Sequence, residues 1–259
     1  MSGLFDLSGQ VALVTGGNGG IGLGMAEGMA QQGADVVIWG RNAEKNAEAK
    51  AQLEKTGQKI ATAQVDVSDE AAVKAGVEHI IAEFGRLDTA IANAGMSSSQ
   101  PSMFDIETDN FKQVIDVNIN GVFYTLREAA RHMVERSKAG DPGGSLVGIA
   151  STAAIHGAAR NEHYAASKGG VVTMVRAMAV ELARHQIAVN SICPGWVRSE
   201  MSQSAQDNDK FNEKVISRVP MGGWADPEAF SAIAAYLSSP ASRFHTGDTI
   251  VIDGAYTIF

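Results

Sequence analysis

The chain carries one cysteine, Cys193, in 259 residues, which excludes an internal disulfide framework and a thiolate cluster for metal. Cys193 closes the apolar run "IAVNSICPG" and reads as a packed thiol rather than a nucleophile. The six histidines are scattered, without an HExxH spacing, and no DxDxDG loop occurs. No intrinsic metal site is expected. Positive charge is also scarce: 21 Lys and Arg stand against 29 Asp and Glu, for a net charge of -8 and a pI near 5.2. That leaves no basic footprint for nucleic acid and no Lys/Arg cluster for an anionic membrane surface. No apolar run is long enough to span a bilayer, and the start "MSGLFDLSGQVALVTGG" has no positively charged segment leading into a signal-type apolar core. The expectation is a soluble, cytoplasmic protein.

What is present is an alternation. Seven short β-rich runs, "VALVTG", "ADVVIWG", "KIATAQVDV", "LDTAIANAG", "GSLVGIAS", "IAVNSICPG" and "GDTIVIDG", are separated by segments with helical periodicity. Strands apolar along nearly their whole length are what a parallel sheet covered on both faces requires, so the fold class is α/β, a doubly wound seven-stranded sheet with helices on both faces. The length suits one domain, residues 1–259. Helix ends are marked by Gly33 after "GLGMAEGMAQQ", and by Ser68 and Gly85 around "SDEAAVKAGVEHIIAEFG". The polar stretch 137–145 reads as a turn between helix and strand. The stretch 198–212 is too long for a connector, and a substrate loop or lid is expected around 196–224.

Directly after the first strand comes "TGGNGGIG", with Gly16, Asn18, Gly20, Ile21 and Gly22 leading into a helix. Glycine lets the backbone turn tightly and approach a pyrophosphate, which then meets the free amides and positive end of the helix. A dinucleotide site is expected here, although plain αβ turns also use glycine. Such a site commonly has an acid at the end of the second strand to hold ribose hydroxyls. Here Asp35 comes too early, and the strand ends on Gly40 and Arg41. A guanidinium at that point suits a 2′-phosphate. The preferred cofactor is therefore NADP(H), with NAD(H) as the other possibility; Arg41 as a plain loop cation is the alternative.

Further on, "YAASK" places Tyr164 and Lys168 one helical turn apart on the same face. Alone, such a pair is an ordinary half-buried ring beside a solvated cation. It does not stand alone. With "TGGNGGIG", "NAG" at 93–95, Asn118 in "VNING", "IAS" ending at Ser151, "YAASK" and "PG" at 194–195 in order, the chain resembles the short-chain dehydrogenase/reductase family, in its compact branch. The resemblance covers nearly the whole length and implies a Rossmann-type fold and reversible hydride transfer between NADP(H) and a secondary alcohol or ketone.

The resemblance also implies roles. Tyr164 matches the catalytic acid/base, a phenol whose reference pKa of about 10 needs a charged neighbour to move it toward neutrality. Lys168 is that neighbour and matches a ligand of the nicotinamide ribose. Ser151 matches the group that holds the substrate oxygen, and Asn118 the holder of a water that relays protons to Lys168. Asp66 and Val67, taken to end the third strand, match adenine contacts. Asn93, Ala94 and Gly95 match the loop steadying the central strand and cofactor, and Pro194, Gly195 and Val197 the turn beside the nicotinamide. Ser199 stands where the family often has threonine.

Substrate candidates by position are Met96, Ala153, His156 and Trp196, with Arg160, Met201 and Trp224 nearby. Arg160 and His156 could address a hydroxylated or carboxylated substrate such as a sugar acid. A 3-oxoacyl group on an acyl carrier is the second enzyme reading, and a non-catalytic nucleotide-binding module the third. The apolar end "VIDGAYTIF", together with the family's habit, implies a homotetramer.

Overall fold

The computed structural model describes residues 3–259. Seven strands run in chain order: β1 Val11–Thr15, β2 Asp35–Trp39, β3 Ile60–Ala63, β4 Thr89–Ala92, β5 Gly144–Ile149, β6 Ile187–Pro194 and β7 Thr249–Ile252. They form one sheet, ordered β3-β2-β1-β4-β5-β6-β7, with every neighbouring pair parallel. The helices are α1 Gly20–Gln31, α2 Ala43–Leu53, α3 Glu70–Phe84, α4 Thr108–Ile115, α5 Gly121–Lys138, α6 Ala153–His156, α7 Glu162–Leu182, α8 Gln203–Gln206, α9 Asp209–Ser217 and α10 Ser231–Ser238. None of the described helices is long and apolar enough to cross a membrane.

The strands are buried on both faces because successive side chains point to opposite layers. Val11 and Leu13 of β1, with Val37 and Trp39 of β2, join the layer of α3, α5 and α7. Ala12 and Val14, with Val36 and Ile38, join the layer of α1, α2 and α10. Strand order reverses between β1 and β4, and in open parallel sheets the crevice above that reversal is where ligands bind. The sequence is legible at most helix ends. Gly33 (φ +99°) and Gly85 (φ +78°) take the left-handed conformation after α1 and α3. The N-cap of α3 is Asp69, one residue after the Ser68 expected there, and its carboxylate accepts from the amides of Ala71 and Ala72.

Two boundaries differ from the sequence reading. The third strand stops at Ala63, so Asp66 and Val67 lie in the loop beyond it, where they are free to face the crevice. The long helix expected around Asn118 is interrupted: residues Asp116–Asn120 form a wide π turn between α4 and α5, closed by the Gly121 amide on the Asp116 carbonyl. Within the stretch 198–212 lie a helical turn at Glu200–Ser202, α8 and the start of α9.

Candidate active site

Above the C-terminal ends of β1, β2 and β4 lies a cleft of about 430 Å³. Its floor is the glycine turn. Gly20 has φ +50°, and a Cβ on Gly22 would run into the carbonyl of Gly16 and the amide of Asn93. Helix α1 begins here with no capping side chain and no acid in its first turn. Its first amides are therefore free for an anion. A glycine cradle, an uncapped helix start and a long cleft fit a dinucleotide.

Of the sequence-derived cofactor residues, Gly16, Asn18, Gly20, Ile21, Gly40, Arg41, Asp66, Val67, Asn93, Ala94, Gly95 and Ser199 line this cleft, as does Met96 from the substrate set. Gly22, Pro194, Gly195, Val197, Tyr164 and Lys168 do not line it. Gly22 packs on the turn, and Val197 is buried and bridges to Ala225. The Thr15 hydroxyl accepts from the amides of Asn93 (3.0 Å) and Ala94 (2.9 Å), while Asn93 Nδ2 returns to the Thr15 and Gly16 carbonyls. Asn93 thus locks the end of β4 to the glycine turn.

Arg41 pairs with Asp66 at 3.8 Å. Asp66 Oδ1 also accepts from Ser68 Oγ (2.7 Å) and the Ser68 amide (3.0 Å). Those bonds, the hydroxyl's foremost, hold the Asp66 carboxyl below the usual range. The sequence reading missed three residues here. Asn46, buried, donates to the Gly40 and Ala63 carbonyls and accepts from Asn18. Lys45 and Glu200, unlike Asn46, line the cleft, and they bond each other. Nothing in local sequence distinguishes Asn46 from any other polar residue of α2.

The reacting end is built from β5, α7 and the π turn. Tyr164 and Lys168 lie one turn apart on α7, the ammonium 5.7 Å from the ring centroid. Lys168 is 4% exposed and donates to the Ile149 carbonyl at 2.8 Å. Burial lowers its pKa to about 8. Burial pushes the Tyr164 phenol up, and its hydrogen bond with Ser151 draws it back. Ser151 Oγ accepts from the Ala153 amide at 3.1 Å.

Asn118 is fully buried. Its Oδ1 accepts from the Met96 amide (2.8 Å), and its Nδ2 donates to the Met96 carbonyl (2.9 Å) and Ser167 Oγ (3.0 Å). The wide turn thereby ties the loop after β4 to α7. A Cβ on Gly95 would sit 3.3 Å from Asn118 Oδ1 and 3.4 Å from Lys168 Nζ, so the three converge. Cys193 is wholly buried, and burial pushes its thiol up.

Beyond Ser151, Ala153 is buried and His156 stacks edgewise on Tyr256 at 5.5 Å. Trp196 joins Trp224, Phe211 and Tyr256 in an aromatic cluster with centroids 5.2 to 6.2 Å apart. The Trp196 Nε1 is buried without a partner. Trp224 instead donates to Asn212. Arg160 takes a left-handed φ of +66° in the loop before α7.

A family model described as enoyl-(acyl carrier protein) reductase matches residues 16–257. Gluconate 5-dehydrogenase of Gluconobacter oxydans (strain 621H) is 36% identical over 98% of this chain and 97% of its own. A 3-oxoacyl-(acyl-carrier-protein) reductase of Chlamydia pneumoniae is 33% identical over 97% of this chain and 98% of its own. Among solved structures, a gluconate 5-dehydrogenase from Burkholderia cenocepacia J2315 in complex with NADP and tartrate superposes with a TM-score of 0.91, at 32% identity, covering 98% of this chain and 97% of that one. A short-chain type dehydrogenase/reductase from Mycobacterium marinum superposes at 0.92, with 36% identity over 99% and 98%. With its parallel sheet, its glycine turn and a family-model match over nearly its whole length, the chain belongs to the short-chain dehydrogenase/reductase family, enzymes that act on CH–OH and C=O groups with a nicotinamide cofactor.

Proposed function

We propose that this protein interconverts a secondary alcohol and a ketone on a small hydroxylated acid of the sugar-acid class, with NADP(H) as preferred cofactor and NAD(H) as a poorer one. The observation that carries the reading is the buried Lys168, one helical turn from Tyr164, with its ammonium 5.7 Å from the Tyr164 ring. The glycine cradle holds the cofactor's phosphates and Arg41 its 2′-phosphate. When bound, the nicotinamide supplies the hydride in reduction and, once oxidised, a positive charge.

Two donors, Ser151 Oγ and the Tyr164 phenol, meet the substrate oxygen and stabilise the negative charge that develops there. Tyr164 gives its proton to that oxygen. Lys168, with a pKa near 8, exchanges protons close to neutrality and refills the phenol, its own proton being replaced through water at Asn118. A phenol left protonated by burial suits the reducing direction at neutral pH. In oxidation, the Lys168 and nicotinamide charges favour the phenolate.

The sugar-acid class is supported by the gluconate relatives and by the residue types that follow Ser151 and Gly195 in the chain. Trp196 brings an unpartnered donor, and His156 and Arg160 bring polar groups near Ser151 in the chain, with Met96 and Ala153 as apolar wall. A second reading, reduction of a 3-oxoacyl group on an acyl carrier, is favoured by the chlamydial relative; the net charge of -8 opposes docking of an acidic carrier. Exposed Val251, Ile258 and Phe259 at the C-terminal end support assembly with further copies, as a homotetramer, which light scattering tests.

The functional test follows nicotinamide absorbance with 5-ketogluconate, other keto acids and a 3-oxoacyl thioester. Wild-type turnover of a keto acid that Tyr164→Phe loses while still binding NADPH is the expected result. Turnover retained in that variant rules out the mechanism.

A further inference from the structure

Lys45 and Glu200 lie 155 positions apart in the sequence, yet both carboxylate oxygens of Glu200 accept from the Lys45 ammonium. Lys45 stands in the first turn of α2, four residues after Arg41. Glu200 follows Ser199, whose Cβ lies 3.2 Å from where a Cβ on Gly20 would be. The segment bearing Glu200 therefore rests on the glycine turn, and the ion pair straps it to α2. Lys45, Glu200, Arg41 and Asp66 all line one cleft. Both cations have carboxylate partners there, Arg41 with Asp66 and Lys45 with Glu200.

These are exchangeable contacts. The Lys45 and Glu200 side chains are 42% and 83% exposed, and solvated pairs hold weakly. A phosphate monoester brings about two negative charges and three acceptor oxygens, against one charge for a carboxylate, so it displaces Glu200 from the ammonium.

We propose that Lys45 is a second cation for the 2′-phosphate of NADP(H), held in readiness by Glu200, and that binding of the phosphate trades the Lys45–Glu200 strap for a Lys45–phosphate contact and frees the segment 199–206 from α2. The inference rests on the NADP(H) reading. It adds that the two cofactors leave the segment in different states: strapped with NAD(H), released with NADP(H).

The test uses 2′,5′-ADP and 5′-AMP as probes, which differ in the 2′-phosphate and lack the nicotinamide. Calorimetric binding is measured for wild type, Lys45→Gln, Lys45→Arg and Glu200→Gln. Lys45→Gln is expected to weaken 2′,5′-ADP roughly ten-fold and leave 5′-AMP within about two-fold, with Lys45→Arg restoring most of the loss. Glu200→Gln, which removes the competitor, is expected to tighten 2′,5′-ADP about three-fold without changing 5′-AMP. In wild type, amide hydrogen exchange across 199–206 is expected to rise with 2′,5′-ADP and not with 5′-AMP. Equal effects of Lys45→Gln on both probes, or weaker 2′,5′-ADP binding in Glu200→Gln, would overturn the exchange of partners. A wild type that binds the probes equally tightly would sink the NADP(H) reading itself; a preference abolished by Arg41→Ala but untouched by Lys45→Gln would sink only the role of Lys45.

Discussion

Replacing Lys168 by methionine should change how stability depends on pH, and the size of the change follows from the burial of one ammonium. Lys168 is 4% exposed with a single hydrogen bond given by its Nζ, to the Ile149 carbonyl, and its pKa falls from 10.5 to about 8. At about 1.4 kcal/mol for each pH unit, a charged Lys168 costs the fold about 3 kcal/mol below the folded value. The folded chain gives up this proton before the unfolded chain does, so the cost is relieved as pH rises from about 8 toward the unfolded value. Between about pH 6.5 and 9.5 the wild type should therefore gain about 2 kcal/mol relative to Lys168→Met, which has no proton to lose.

The unpaired Ile149 carbonyl left in the variant costs about 1 to 3 kcal/mol at every pH, and so drops out of the comparison. Urea unfolding followed by tryptophan fluorescence, at fixed protein concentration and several pH values, gives the two curves. Curves that run parallel across this range would refute the claim that a strained, buried ammonium stands behind Tyr164.

Arg41→Ala should lower NADPH affinity about ten-fold and leave NADH within about two-fold, by fluorescence titration; an unchanged ratio makes Arg41 a loop cation. Gly22→Ala should abolish tight cofactor binding and destabilise the fold by about 1 to 3 kcal/mol, because its Cβ has no room against the Gly16 carbonyl. At the opposite end of the sheet, buried Asp88 accepts from the Val11 amide, Arg86 and Arg136. Burial pushes its carboxyl up, but the Arg86 bond and the charges around it prevail and hold the pKa below 3.8. Asp88→Asn should therefore cost about 3 kcal/mol at neutral pH, with turnover per folded molecule unchanged. The stability Asp88 contributes is complete above the unfolded pKa and is lost as acid titrates it through the lower folded value.

Much of this was legible from residue order. Continuous apolar runs such as "VALVT" and "DVVIW" demand burial on both faces, and they became the interior strands β1 and β2. Glycines in the first turn and the Tyr164–Lys168 spacing carried their own geometry, since each depends on contacts within a few residues. The Asp116–Asn120 turn was not legible, because its apolar residues continue the helical period on either side and only packing of Asn118 against Met96 and Ser167 marks it. Nor was the Lys45–Glu200 contact, which joins residues with no local relation. The strand end at Ala63 was misplaced because "QVDV" has strand-like composition, although Asp66 bonds back to Ser68 in a turn.

The wide turn at 116–120 also bears on how this chain can change length. A turn of that kind holds one more residue than the α-helical path around it would, and each residue advances a helix by about 100°. Deleting a single residue there would let α4 run straight into α5 as plain α-helix, because the wide turn already absorbs the extra residue and leaves the faces on either side in register. Val122, Leu126, Ala129 and Met133 would stay in the core, and the loss would fall on Asn118, which would leave Ser167 and Met96. Elsewhere in a regular helix the same deletion would turn every later residue by that angle. The segment between α4 and α5 is thus a place where descendants of this sequence can lose a residue and keep the helix, but not the buried amide.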